Sequence, residues 1–152
     1  AWSGAALLGV FWIALVERTA GSPGLALDPN AGAVLAGSGL LLATAGATLR
    51  VVSVRTLGRW FVTELDVHAD QPLIRNGPYR FARHPSETGL LACAAGACLW
   101  LGSGAALAVW AVALLPSVLL LVRAENALLT EAFGDEFRAY AEDVPSLVPG
   151  VW

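Results

Sequence analysis

The chain has 152 residues, 57% of them hydrophobic and only 14% charged, with a formal net charge of −3. Soluble domains carry about 25% charged residues, so this composition, with a mean hydropathy of +0.65, excludes an ordinary water-soluble globule and indicates one compact membrane-embedded domain over residues 1–152. All the basic residues are arginine, which excludes Schiff-base or P-loop lysine chemistry, and no basic stripe interleaved with aromatics suggests a nucleic-acid partner.

A bilayer core about 30 Å thick needs about 20 apolar residues in helical form. Ala1 to Val16 is apolar and slightly short, and reads as a first span. The chain opens without Met, which suggests a trimmed or processed start, and no charged segment supports a signal peptide. Glu17 to Asn30 is a loop, with turn signals at Gly21-Ser22-Pro23-Gly24 and Asp28-Pro29-Asn30. Ala31 to Leu49 is uncharged and predicts a second span. Gly39, Ala43 and Ala47 form a small-residue stripe along it that would let another helix approach closely.

Arg50 to Glu87 is a polar connection holding Arg50, Arg55, Arg59, Arg75, Arg80 and Arg83, whereas the first connection holds only Arg18. By the positive-inside rule the long connection is cytoplasmic. Thr88 to Val122 is uncharged, too long for one span, and divides at Gly102-Ser103-Gly104 into a helical hairpin, with Pro116 kinking the return leg. From Arg123 the tail is amphipathic. Leu129, Phe133, Phe137, Tyr140 and Val144 recur at helical spacing, and Gly134 is placed to break it in two. The tail lies on the membrane surface or against the polar connection, or simply docks over the core. The predicted fold is therefore all-α and polytopic, with about four transmembrane helices, a cytoplasmic loop, a C-terminal amphipathic helix and both termini inside. Cys93 and Cys98 lie five residues apart on one helix, point in different directions, and read as small core residues. No Cys-x-x-Cys pair suggests a structural zinc.

Polar groups placed directly against a membrane-length apolar run are functional candidates. Here they are Arg83, His84, Ser86 and Glu87, with Pro85 at the first helical position. A helix start attracts anions, so this corner suits the carboxylate of an amino-acid-like ligand; a capped start with Arg83 reaching to headgroups is the plainer reading. Glu87 either returns a bond to a His84 cap, as in a capping box, or faces the site as a partly buried carboxylate and general base. Glu125 and Asn126 close the fourth span on the same side. Glu125 is placed to bond the hydroxyls or amino group of a nucleoside ligand, or is simply a solvated charge at a helix end. Arg123 is placed to pair with Glu125, to reach phosphates, or to bind an acidic acceptor.

Gln71-Pro72-Leu73-Ile74-Arg75-Asn76, then Gly77-Pro78-Tyr79, then Arg83-His84-Pro85-Ser86, then Glu125 and Phe133-Gly134, occur in an order that resembles the isoprenylcysteine carboxyl methyltransferase and phospholipid methyltransferase superfamily of integral membrane enzymes. The likeness runs from about Leu57 to Pro149, leaving 1–56 as an N-terminal helical pair ahead of a cofactor-binding core over 57–149. It implies a membrane-embedded pocket for S-adenosylmethionine closed by the C-terminal helix. The cofactor-binding positions it implies are Glu64, Gln71, Pro72, Leu73, Ile74, Tyr79, Arg83, His84, Pro85, Ser86 and Glu125. Glu87 or His84 is the candidate base for an acceptor that must lose a proton, and Arg123 is the nearest candidate for the arginine that reaches an acceptor carboxylate in the prenylcysteine enzymes. The sequence departs from the family pattern at Glu87, where an aromatic is usual, at Asn126, where a second glutamate is usual, and at Gln71, with His68 three residues earlier.

The function these features imply is S-adenosylmethionine-dependent methyl transfer to a lipophilic acceptor, a lipid or a lipophilic small molecule, reached sideways from the bilayer, with the cofactor taken from the cytoplasmic side of a bacterial inner membrane. Methyl transfer is an in-line displacement that chiefly needs alignment and exclusion of water. Tyr79 or Trp60 is placed to attract a sulfonium by cation–π contact. The competing readings are a sterol-type, nicotinamide-dependent membrane reductase and a non-catalytic membrane scaffold of the same fold.

Overall fold

The structure, a computed structural model, describes residues 2–20, 29–61 and 71–148. Glu64 and His68 lie outside the described residues. Among the described residues the regular secondary structure is all helical. Helix α1 (Trp2–Thr19) and α2 (Pro29–Leu57) precede a 3-10 turn at Gly58–Trp60. A second 3-10 turn, Gly77–Arg80, leads into α3 (Pro85–Leu101). Helix α4 (Gly104–Phe133) follows, and α5 (Asp135–Asp143) ends the helical part. α2 with its following turn (Gly32–Trp60) and α4 are long and apolar enough to cross a membrane; α1 and α3, of 18 and 17 residues, are shorter.

Several boundaries differ from the sequence expectation. α2 does not stop at Leu49 but carries Arg50, Ser53 and Arg55 for two further turns, ending where Gly58 takes a left-handed φ of 56°. Arginine and serine do not break helices, and Arg50 finds partners on α3. Glu125 does not end the fourth helix; α4 continues to Phe133 and stops at Gly134, whose φ of 55° and ψ of −126° suit only glycine. Pro116 is met by a π turn over Trp110–Leu114, immediately before it. A proline cannot donate to the preceding turn, and the wider π turn accommodates the missing bond within a continuous helix. Trp110 Nε1 donates to the Leu91 carbonyl at 3.1 Å, tying that turn to α3. The hairpin between α3 and α4 falls at the expected place. Gly102 caps α3 at φ 68°, and the Ser103 hydroxyl accepts from the Ala106 N–H at 3.1 Å to start α4. At the same end the Ser103 hydroxyl also donates to the Glu17 carboxylate of α1.

α3 is the central helix, packed against α1, α2 and α4. The core is built of small and branched side chains: Val10 and Ala14 of α1, Leu90, Leu91, Ala94 and Cys98 of α3, Ala106, Leu114, Val118 and Val122 of α4, and Leu147. The α2–α3 contact is of another kind. A Cβ added at Gly46 would lie 2.4 Å from Cys93 N, one at Gly96 2.4 Å from Ala43 N, and one at Gly39 2.5 Å from Trp100 N. The two backbones therefore touch, as small-residue seams in membranes allow. The α2 stripe is Gly39, Ala43 and Gly46; Ala47 is exposed, contrary to the spacing expected from sequence. Continued at the same helical spacing, the stripe reaches Arg50 and Ser53, which brings the seam to Ser86 and Gly89 at the start of α3.

Outward-facing large apolar residues include Leu8, Phe11 and Trp12 on α1, Val34 and Leu41 on α2, and Val112 and Leu120 on α4. Apolar exposure on this scale is costly in water and free of cost against lipid.

Candidate active site

The C-terminal end of α2, the N-terminal end of α3 and the C-terminal half of α4 meet in one polar cluster. Pro85 occupies the first turn of α3, where its missing N–H costs nothing. His84 is the residue before that turn and is only 3% exposed. Its Nδ1 lies 3.1 Å from Glu125 Oε2, and its Nε2 lies 2.9 Å from Asn126 Oδ1. Asn126 Oδ1 also accepts from Arg83 Nη1 at 3.4 Å, and Asn126 Nδ2 donates to the Ser146 hydroxyl at 3.2 Å. Neutral imidazole has one N–H, so oxygen acceptors at both nitrogens are satisfied together by the imidazolium. Burial pulls the His84 pKa down, but the hydrogen bond and charge of Glu125, the Asn126 bond and the Glu87 charge together raise it. The Glu125 side chain is 41% exposed against 2% for His84, so the histidine is the buried floor and Glu125 the open edge.

The capping-box alternative for Glu87 is not what forms. The His84 N–H goes to the Ser146 carbonyl at 2.9 Å, and the cap makes no side-chain bond. Glu87 instead has its Oε1 3.8 Å from Arg50 Nη1. The same Arg50 nitrogen donates to the Ser86 carbonyl at 3.2 Å and to its hydroxyl at 3.1 Å. Ser86 and Pro85 are buried. Tyr79 is buried too, with its hydroxyl 3.5 Å from the Ser53 carbonyl. Burial first, then the charges of Glu87 and Glu125, push the Tyr79 pKa upward.

The tail closes over this end. Arg83 N–H donates to the Pro145 carbonyl at 2.9 Å, and the Thr88 hydroxyl to the Leu147 carbonyl at 2.8 Å. From α5 the Tyr140 hydroxyl donates to the Tyr79 carbonyl. Arg75 Nη2 donates to the Glu136 carbonyl at 2.8 Å and pairs with its carboxylate at 3.1 Å. The Arg83 guanidinium stacks over Phe137 at 5.6 Å. Of the tail placements expected from sequence, docking against the polar connection is the one observed, through Arg75, Tyr79 and Arg83.

Among the expected site residues, Arg83, His84, Ser86, Glu87 and Glu125 come together with Arg50 and Asn126. Gln71, Pro72, Leu73 and Ile74 form an extended approach to the Gly77–Arg80 turn, and Gln71 Oε1 is buried with no hydrogen-bond partner among the described residues. Arg83 Nε is likewise buried and unpartnered. Arg123 is exposed on α4, two residues before Glu125. Sequence reasoning missed Arg50 and Ser146. A seven-residue spacing, Gly39–Gly46–Ser53 and Ala43–Arg50, was the available signal for Arg50; nothing local marks Ser146.

The fold and cluster define a helical membrane-type bundle with a polar side-chain cluster at its arginine-rich end. The chain belongs to the phospholipid methyltransferase family, whose model matches residues 35–136. A probable protein-S-isoprenylcysteine O-methyltransferase of Oryza sativa subsp. indica is 30% identical over 113 residues, 73% of this chain and 59% of that protein. Protein-S-isoprenylcysteine O-methyltransferase A of Arabidopsis thaliana is 30% identical over 115 residues, 74% of this chain and 58% of its own length. The chain thus spans about three-fifths of the curated relatives it matches. The fold is similar to that of the eukaryotic intramembrane Ras methyltransferase ICMT, with a TM-score of 0.77 at 22% identity, over 97% of this chain and 52% of that one.

Proposed function

We propose that the protein transfers a methyl group from S-adenosylmethionine to a lipophilic acceptor reached from the bilayer. The observation that carries this reading is a pair of buried atoms without a hydrogen-bond partner among the described residues, Arg83 Nε and Gln71 Oε1, on the two segments that flank the Gly77–Arg80 turn. One is a donor and the other an acceptor, and the zwitterionic amino-acid end of the cofactor offers a carboxylate to the first and an ammonium to the second. When bound, the cofactor supplies an electrophilic methyl on a sulfonium. The chain's own part is to bind and orient it and to exclude water.

In this reading Gln71, Pro72, Leu73 and Ile74 line the cofactor along their backbone, Arg83 takes the carboxylate, and Glu125 accepts from hydroxyl or amino groups. Glu64 is a further contact. His84 keeps both its N–H groups on Glu125 and Asn126, so it holds Glu125 in place instead of abstracting a proton. Glu87 is the base for an acceptor that must lose one. Arg123, on the exposed side of α4, is the candidate partner for a phosphate carried by a lipid acceptor away from its nucleophilic atom. Membership of a family whose relatives are named as methyltransferases supports this reading over a reductase or a scaffold.

We place four spans in the membrane, with the arginine-rich end and both termini in the cytoplasm of a bacterial inner membrane, because Arg50, Arg55, Arg59, Arg75, Arg80 and Arg83 fall at the site end and Arg18 at the other. The deciding experiment is calorimetric binding of S-adenosylhomocysteine to the purified chain and to His84→Ala and Glu125→Gln. Micromolar binding by the wild type, weakened about tenfold or more in each variant, is the expected result. A folded wild type that binds nothing overturns the proposal.

A further inference from the structure

We infer that Glu87, together with Arg50 across the α2–α3 seam, selects the acceptor by charge: it cancels the guanidinium that an anionic acceptor would seek and offers a carboxylate to an acceptor whose nucleophilic atom bears a proton. The inference rests on the methyl-transfer reading of the site. It departs from the carboxylate acceptor that the relatives' names describe.

Glu87 lies in the first turn of α3, three residues after the His84 cap. Glu87 on α3 meets Arg50 at 3.8 Å and Glu125 on α4 meets His84 at 3.1 Å, so both carboxylates belong to the cluster at the start of α3. The Glu87 side chain is 18% exposed, which leaves it reachable. Arg50 is committed elsewhere. Its Nη1 serves the Ser86 carbonyl and hydroxyl at 3.2 and 3.1 Å, and its charge is opposed by Glu87 at 3.8 Å. At 3.8 Å that contact is an ion pair without a hydrogen bond, and a carboxylate accepts about four. The capacity of Glu87 as an acceptor is therefore not exhausted by Arg50.

Glu125 is paired with His84, so a carboxylate arriving on the Arg50 side would meet the charge of Glu87, which already opposes that of Arg50 at 3.8 Å. Like-charge juxtaposition of this kind is how a site rejects a ligand. An N–H, O–H or S–H acceptor meets the opposite situation. Its proton passes to the Glu87 carboxylate, the freed electron pair forms the bond to the methyl carbon, and the carbon–sulfur bond breaks with its electron pair remaining on sulfur. Glu87 then returns the proton to water at the open edge of the site.

The test uses the full chain in lipid nanodiscs saturated with S-adenosylhomocysteine, and two ligands that share a farnesyl thioether tail. One, S-farnesyl-3-mercaptopropionate, ends in a carboxylate; the other, S-farnesylcysteamine, ends in an ammonium. The wild type is expected to bind the ammonium ligand about tenfold or more tightly. Glu87→Gln should erase or reverse that preference, and Arg50→Gln should widen it. A purely structural ion pair would instead weaken both ligands alike in both variants. Equal binding by the wild type, preference for the carboxylate, or a shift of the same sign in both variants overturns the inference. The wild-type comparison needs no variant, so it decides even if a substitution prevents folding. Failure to bind S-adenosylhomocysteine would remove the cofactor reading and this inference with it; good binding with the carboxylate preferred would remove this inference alone.

Discussion

His84 shows how one buried side chain sets the protonation of a site. Its raised pKa means that the folded protein holds the imidazolium more tightly than the unfolded chain does. The stabilisation is therefore fully present below the ordinary histidine value of 6.5 and is lost as pH rises through the raised folded value. Thermal melts of wild type and His84→Gln should differ most near pH 6 and converge as the pH is raised; a gap that widens with pH would contradict the imidazolium. The tyrosines give a second handle, since the chain has only Tyr79 and Tyr140. Burial pushes both upward, Tyr140 to about 12 despite Arg83 and Arg75. A spectrophotometric titration should show almost no tyrosinate at pH 10.5 in the folded protein. Because these pKa values are raised, stability should fall only as pH climbs past the unfolded tyrosine value of about 10. Arg83, His84 and Glu125 were legible as site residues because they sit in motifs or at the edges of apolar runs. Arg50 and Ser146 were not, because what defines them is contact across 36 and 20 residues of sequence, with Ser86 and Asn126.

Among the elements, α2 and α3 carry the clearest expectation. At Gly46 any Cβ would meet backbone on α3 at 2.4 Å, and backbone cannot rotate away. Gly46→Val should therefore cost about 3 kcal/mol or more, at the upper end of overpacking penalties, and should separate Arg50 from Ser86. Chemical denaturation in mild detergent together with S-adenosylhomocysteine binding would measure both effects. The end of α2 was misread in sequence because a charged residue at a span boundary resembles an exit from the membrane. Here the chain continues as helix and spends the charge on α3. The end of α4 was misread at Glu125 for the same reason. Gly134, by contrast, was correctly placed as a break, since its backbone angles exclude other residues. For α5, Tyr140→Phe removes the bond to the Tyr79 carbonyl and leaves that buried acceptor unmet, which should lower stability by about 1–2 kcal/mol. Arg75→Ala, which loses a more exposed pair with Glu136, should lower it by about 1 kcal/mol or less.

For the molecule as a whole, the arginine bias on which the proposed orientation rests makes a prediction about topology. A fluorescent protein fused after Trp152 and expressed in a bacterium should be bright, as it would be in the cytoplasm; a dark fusion that becomes active when replaced by alkaline phosphatase would invert the topology. The fold class, the α3–α4 hairpin and the docked tail were all readable from hydropathy, turn residues and helical spacing. The resemblance implied a closing C-terminal helix, but not the bonds from Arg83, His84 and Thr88 to residues 145–147, which are main-chain or hydroxyl contacts that no local pattern announces.

The glycine seam also fixes how the protein meets bilayers of different thickness. With Gly39, Gly46, Gly89 and Gly96 each seated on opposing backbone, α2 and α3 engage like a rack with a single notch. Sliding one helix past the other by a residue would drive side chains into main chain. A thinner or thicker membrane must therefore tilt the pair as one body, and Arg50 stays opposite Ser86 throughout. S-adenosylhomocysteine affinity should accordingly be nearly constant across vesicles of different acyl length, even where the tilt of α2 changes.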